Sequence, residues 1–392
     1  MNFELLSTPQ IMFGSGQFQK LGQLVRDFGS RLLVVASESA LKDKNNEKTL
    51  VEALVEHNIT DTRFIVKGEP TIEIIDQGVA VGMDFKTEAV IGFGGGSVLD
   101  AGKAIAGLIT NGESAREYME GVGRGLKITQ SSLPYIAVPT TAGTGSEVTK
   151  NAVILAKDVG VKASIRSPLL VPKIALIDPS LMLSVPPEVT ASCGLDAFTQ
   201  LLEPYTSNKA QPITDALALL GIQRARNSLV RAYKQGNDLS ARENMAMAAL
   251  LSGICLANVG LGAVHGFASP LGGMFPIPHG VVCAALLAPT IQKNIEELKA
   301  KAPKNPNLLK YAKLAEITCN QTFSSINEAH MALTQYLREL TQTLKIPPLS
   351  KFGMKDSDIP TVIAKAIKSS SMKYNPIKLS ESALSDILEQ VL

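Results

Sequence analysis

Two of the four histidines in this 392-residue chain, His265 and His279, lie 14 residues apart in HGFASPLGGMFPIPHG, a stretch built from glycine, proline and apolar residues. Upstream, Asp196 and Gln200 fall at i, i+4 in the helix-compatible segment SCGLDAFTQLLEPY, so their side chains share one face. A carboxylate, an amide oxygen and two imidazoles could encircle one divalent cation, and iron, zinc or nickel suits such donors. A cation with an open coordination position polarises a carbonyl or stabilises an alkoxide. The competing reading is a helical Asp pairing locally beside packed histidines. His57 and His330 have no convergent neighbours in sequence and take that plainer reading.

A second chemistry-bearing segment is the apolar run Ala89 to Phe93, which enters Gly94, Gly95, Gly96 and Ser97 and continues through Asp100 into a helical stretch, Ala101 to Ile109. Glycines let backbone N–H groups approach an anion without Cβ obstruction, and a helix N-terminus adds its dipole, so the turn suits a pyrophosphate. Further on, Pro139 to Glu147 reads PTTAGTGSE, a small-residue loop whose hydroxyls suit ribose and phosphate, or simply cap their own backbone. The dinucleotide fingerprint GxGxxG is absent after the first strand, where Val35, Ala36, Ser37, Glu38 and Ser39 stand, so a standard Rossmann unit is not expected. Together the segments point to a nicotinamide dinucleotide supplying hydride beside a metal centre.

The elements that must position these groups change character along the chain. In the first half, β-branched runs alternate with helical stretches: strands at Leu32 to Ala36, Arg63 to Val66 and Ala89 to Phe93, helices at Lys48 to His57 and Ile72 to Met83. Further strands are expected at Tyr135 to Val138, Ala152 to Leu155 and Ile174 to Ile177. That alternation predicts an α/β domain with a parallel sheet over 1–185. Beyond Val185, Pro186 and Pro187, apolar residues recur every three or four positions, as in Ile213 to Tyr233 and Ala241 to Asn258, which predicts an all-helical domain over 186–392. Phe267, Met274 and Phe275 hint at a small apolar pocket there, although such residues are more often simple core.

Lys and Arg total 38 against 36 Asp and Glu, so no global field draws polyanions and nucleic acid is not an expected partner. The Lys299 to Lys313 cluster reads as a solvated helix and loop. No apolar run reaches the roughly 18 residues of a membrane span. Cys193, Cys255, Cys283 and Cys319 lie far apart without a CxxC pair, unlike a disulfide framework or zinc ribbon, so a cytoplasmic location is expected.

TPQIMFGSGQFQKLG, GFGGGSVLDAGKAIA, VPTTAGTGSEVT, ALIDPSLMLSVPPEVTASCGLDAFTQLLEPY and GLGAVHGFASPLGGMFPIPHGVVCAALLAP occur in the order and spacing of one family. Across essentially its whole length the chain resembles the iron-containing (group III) alcohol dehydrogenases. The resemblance implies a dehydroquinate synthase-like fold: an N-terminal dinucleotide-binding domain, a helical C-terminal domain and an active site in the cleft between them. It implies NAD or NADP as cofactor, a small alcohol or carbonyl compound as substrate, and a homodimer or larger homo-oligomer. Gly95, Gly96 and Ser97, with Asp100 following, match the pyrophosphate turn; Thr140, Thr141 and Thr144 the adenine and ribose side; Asn151 and Lys162 further cofactor contacts. Asp196, Gln200, His265 and His279 occupy the four metal-ligand positions, the two histidines being the catalytic candidates.

The chain departs from the family pattern at three of these places. Gln200 replaces a usual histidine, and its neutral amide weakens the hold on iron, zinc or another divalent metal. Ser269 stands where many members have another histidine near the substrate, so a proton relay through that position differs or is absent. Ser37 stands where NAD-preferring relatives often have an aspartate; its small side chain leaves room for a 2′-phosphate, while Glu38 would repel one. A metal-independent enzyme resembling maleylacetate reductase, a carbocycle-forming lyase resembling dehydroquinate synthase, and a non-catalytic binder are the alternatives. The expected activity is NAD(P)-dependent interconversion of an alcohol and a carbonyl compound.

Overall fold

The computed structural model describes residues 2–392, which form two compact units. One comprises Leu5–Val185 with Asn237–Ala246; the other comprises Pro186–Gly236 and Met247–Leu392 with residues 2–4. The short segment Asn237–Ala246, assigned by sequence to the helical part, packs with the α/β unit instead. Arg242 Nη2 donates to the Val185 carbonyl at 2.9 Å, and Ser15 Oγ donates to Glu243 Oε1 at 3.2 Å.

In the α/β unit the strands are β1 (Gln10–Phe13), β2 (Arg31–Ser37), β3 (Thr60–Val66), β4 (Ala89–Gly94), β5 (Tyr135–Pro139), β6 (Asn151–Ala156), β7 (Val161–Arg166) and β8 (Ile174–Ile177). Six form a parallel sheet in the order β1-β8-β5-β4-β2-β3. The expected strand at Ala152 to Leu155 exists but lies outside that sheet: β6 pairs antiparallel with β7 as a separate hairpin. Sequence reading misses β1 and β7, because four residues of β1 carry little periodicity and β7 alternates only partly; pairing with β8 and β6 makes them strands.

The run Leu32 to Ala36 is fully buried because helices cover both sheet faces. Leu33 and Val35 pack with Ile75 and Ile105 on one face, and Leu32 and Val34 with Leu21 and Leu50 on the other. Glycine appears inside β4 for a packing reason: a Cβ on Gly92 would lie 2.1 Å from the Tyr135 hydroxyl. Tyr135 fills that space and donates to the Leu99 carbonyl at 2.8 Å, tying β5 to the helix that follows the glycine turn.

That helix, Gly96–Asn111, buries Lys103 almost completely. The ammonium uses its three protons on Ser146 Oγ (2.9 Å), Thr149 Oγ1 (2.9 Å) and the Asn151 carbonyl (2.7 Å), with Asp100 at 3.5 Å. Burial lowers the Lys103 pKa, against the pull of Asp100 and Glu147; burial also pushes the neighbouring Glu147 up to about 7. Asp100 in turn accepts from Ser146 Oγ and from the Val153 amide at 3.0 Å. One buried cation therefore latches the threonine loop and the start of the hairpin onto the helix.

The second unit is helical: Pro187–Thr206, Pro212–Lys234, the later part of Leu239–Val259, Ala263–Met274, His279–Lys301 and shorter helices to the C-terminus. Pro187 and Pro212 open their helices at the first turn, where a missing N–H costs nothing. Phe267 is fully buried in a core with Leu271, Val282 and Leu286, while Met274 and Phe275 pack against that core. Phe267 is thus a core side chain and not a pocket wall. Among the described residues, no single helix is long and apolar enough to cross a membrane.

Replacing Lys103 by Met should remove the cation while leaving Asp100, Ser146, Thr149 and the Asn151 carbonyl buried. Loss of one partner from such a network costs about 3–5 kcal/mol. Chemical denaturation checks this; a loss below about 1 kcal/mol would mean that the latch contributes little.

Candidate active site

Three helices bring the sequence-predicted metal donors together. The Pro187–Thr206 helix carries Asp196, which is only 1% exposed; Ala263–Met274 carries His265; and His279 opens His279–Lys301. Asp196 Oδ1 lies 3.2 Å from His265 Nε2 and 3.6 Å from His279 Nε2. The ring centroids are 5.4 Å apart. His265 is buried and His279 keeps 35% of its side chain exposed, so the cluster reaches solvent through His279.

Two further residues belong to this cluster and were missed by sequence reading. Glu203 is buried, and its Oε2 lies 2.6 Å from His265 Nδ1 while its Oε1 accepts from the Val264 amide at 2.8 Å. It follows Asp196 at i+7 and Gln200 at i+3 on the same helix face, a spacing that could have revealed it. Cys283 Sγ lies 3.5 Å from His265 Nε2 and 3.6 Å from His279 Nε2. It follows His279 at i+4, the relation already noticed for Asp196 and Gln200. Gln200 is buried on the helix face that bears Asp196, and its amide oxygen accepts from Ser252 Oγ at 3.3 Å. Ser269 lies in the His265 helix.

The electrostatics favour positive charge. Burial alone would raise the Asp196 carboxyl, but the two imidazoles and Cys283 outweigh it and hold Asp196 low. Burial opposes protonation of His265 and His279, yet Cys283 with Glu203 and Asp196 around His265, and Cys283 with Asp196 beside His279, raise both pKa values. Protons on the imidazoles or one divalent cation can meet that demand. With His265 Nδ1 committed to Glu203, its Nε2 is the ring atom turned toward Asp196 and Cys283, which fits a metal ligand oriented by a carboxylate behind it. The donor set therefore fits a divalent metal.

In the α/β unit the glycine turn and the threonine loop face each other. A Cβ on Gly95 would lie 3.2 Å from Thr141 Oγ1, and one on Gly96 only 2.6 Å from Thr144 Cγ2. The Thr140 amide donates to the Gly94 carbonyl at 2.9 Å, which fixes the start of the loop beside the turn. Ser97 lies in the first turn of the Gly96–Asn111 helix, half-buried. Asp100 is committed to the latch described above. Asn151 and Lys162 lie on opposite strands of the β6–β7 hairpin, with Lys162 Nζ 2.8 Å from Glu69 Oε1. Ser37 ends β2 and caps the following short helix, accepting from the Ala40 amide at 3.1 Å. Glu38 beside it pairs with Lys42 at 2.8 Å, which offsets the repulsion expected toward a 2′-phosphate.

Residues 8–179 match the family model described as iron-containing alcohol dehydrogenase, and residues 190–392 the C-terminal model of the Fe-containing alcohol dehydrogenase family. The chain is 32% identical over 385 residues to alcohol dehydrogenase 4 of Saccharomyces cerevisiae, covering 97% of this chain and 96% of that one. It is 33% identical over 398 residues to the 1,3-propanediol dehydrogenase of Klebsiella pneumoniae, covering 99% and 98%. A crystal structure of a 1,3-propanediol oxidoreductase superposes with a TM-score of 0.91 at 32% identity, over 100% of both chains. The chain belongs to the iron-containing alcohol dehydrogenase family and is an NAD(P)-dependent oxidoreductase that interconverts an alcohol and an aldehyde, in a family that employs a divalent metal.

Proposed function

We propose that Asp196, His265 and His279 hold the divalent metal, with Gln200 as the weak member of the set, and that the substrate is a small unbranched alcohol or its aldehyde. The observation that carries the metal assignment is the convergence of Asp196 Oδ1 with the Nε2 atoms of both histidines. Relatives named for 1-propanol and 1,3-propanediol support the substrate class. When bound, the metal supplies Lewis acidity to the reacting oxygen.

The chain's own groups prepare the site. Glu203 accepts the Nδ1 proton of His265, which fixes the tautomer and leaves the Nε2 lone pair facing Asp196. Asp196 stays anionic and balances positive charge in a buried place. Gly95 and Gly96 leave their amides accessible to the dinucleotide's pyrophosphate; Ser97, Thr140, Thr141 and Thr144 offer hydroxyls around it. Asp100 and Lys103 hold the threonine loop in position, and Asn151, Lys162 and Ser37 are further places for the dinucleotide. The four cysteines form no disulfide with one another, which fits a cytoplasmic enzyme, and we expect a homodimer or larger assembly.

The test is a screen of short aldehydes and alcohols with NADH, NADPH and their oxidised forms, with iron, zinc, manganese or nickel added to metal-free protein. His265→Ala should reduce turnover at least about 100-fold while leaving the dinucleotide dissociation constant unchanged. Full activity in metal-free protein would return the metal-independent reductase. Glu203→Gln should weaken metal binding about 10- to 100-fold, the usual effect of losing a carboxylate behind a ligating histidine; competition with a chelating dye reads it, and unchanged affinity contradicts the role. Gly96→Val should raise the dinucleotide dissociation constant about tenfold or more by displacing Thr144, equivalent to ~1.4 kcal/mol; titration calorimetry checks it, and an unchanged constant in folded protein refutes the pyrophosphate assignment.

A further inference from the structure

The metal reading leaves Cys283 unused, although its sulfur lies among the other donors. One ligand atom each from Asp196, His265, His279 and Cys283 lie within 4.8 Å of one another. That spacing can be compared with a tetrahedral zinc site. With zinc–sulfur near 2.3 Å and zinc–nitrogen or zinc–oxygen near 2.0–2.2 Å, sulfur–nitrogen edges come to about 3.6 Å and oxygen–nitrogen edges to about 3.4 Å. The observed sulfur–nitrogen distances are 3.5 and 3.6 Å, and the oxygen–nitrogen distances 3.2 and 3.6 Å. Four of the six edges of one coordination tetrahedron are therefore already near their expected lengths, and the remaining two, sulfur–oxygen and nitrogen–nitrogen, are no longer than 4.8 Å.

Resting on Asp196, His265 and His279 from the metal reading above and revising only its fourth member, we propose that Cys283 is the fourth ligand and that its thiolate, in place of the amide of Gln200, makes this centre a zinc site in preference to an iron one. Gln200 already has a partner in Ser252 Oγ, so its oxygen is engaged within the helical core. Cys283 belongs to the same helix as His279, one turn on, so one rigid element delivers two ligands. On binding, the thiol loses its proton to solvent and the sulfur lone pair becomes the donor. A set of one thiolate, two imidazoles and one carboxylate selects zinc over iron, because the soft sulfur and the small coordination number both favour it. Zinc also tolerates expansion to five donors, so four protein ligands do not close the centre to a substrate.

The experiment titrates chelator-stripped protein with cobalt(II), zinc(II) and iron(II), for the wild type and for Cys283→Ala. Wild type loaded with cobalt should show the near-ultraviolet thiolate-to-cobalt charge-transfer band, and Cys283→Ala should bind cobalt without it. Zinc affinity should fall about 100-fold or more in Cys283→Ala while iron affinity falls about tenfold or less. Cobalt bound to wild type without the charge-transfer band overturns the Cys283 assignment alone, whether or not the variant folds. Unchanged zinc affinity in folded Cys283→Ala overturns it too. Absence of any divalent binding by wild type overturns both this proposal and the metal reading beneath it.

Discussion

A carboxylate taken almost wholly out of water governs the helical unit around it. Asp196 is 1% exposed, and an isolated buried charge costs several kcal/mol unless positive charge stands next to it. At 4 Å and an effective dielectric near 20, one unit charge returns about 4 kcal/mol. Two imidazoles can each supply at most one such charge, and the Glu203 carboxylate stands behind one of them. A dication among the same donors meets that demand from a single point. The helix carrying Asp196, the helix opening at His279 and the helix carrying His265 each bring one donor to this point.

The α/β unit solves the opposite problem. There the expected guest is an anion, and the turn offers glycine amides and a helix start with no acidic side chain facing them in its first turn. The unit's own buried cation, Lys103, is spent on the backbone and hydroxyls of the neighbouring loop. Lys103 shapes the anion site by holding its second wall, while neutral backbone donors remain for the ligand. Tyr135, seated against Gly92 and bonded to Leu99, makes the helix behind the turn equally rigid.

Much of this was legible in the sequence, for identifiable reasons. Strands such as β2 and β4 are continuous apolar runs, and the prolines after Val185 mark where the parallel pattern gives way to helices. The edge strand β1 and the hairpin partner β7 were not legible, since their strand character comes from neighbours distant in sequence. The attachment of Asn237–Ala246 to the α/β unit depends on Arg242 and Glu243 finding partners more than fifty residues away. At the site, the histidines and Asp196 stood out through residue type and spacing. Glu203 and Cys283 did not, because a lone glutamate in LLEPY and a lone cysteine in an apolar helix carry no local signal of what lies opposite them. Their i+7 and i+4 relations to Asp196 and His279 become informative only once those residues are taken as fixed points. Conversely, the residue type leaves Phe267 open between core and pocket wall, and its packing partners place it in the core.

A divalent cation held by the buried acid and imidazole cluster, as proposed above, would be visible in diffraction. Anomalous X-ray diffraction at the zinc edge, from crystals grown with zinc and the dinucleotide, tests it most directly. A single strong peak is expected within coordination distance of Asp196 Oδ1, the Nε2 atoms of His265 and His279, and Cys283 Sγ. An active enzyme whose crystals show no anomalous peak among those four atoms would contradict it.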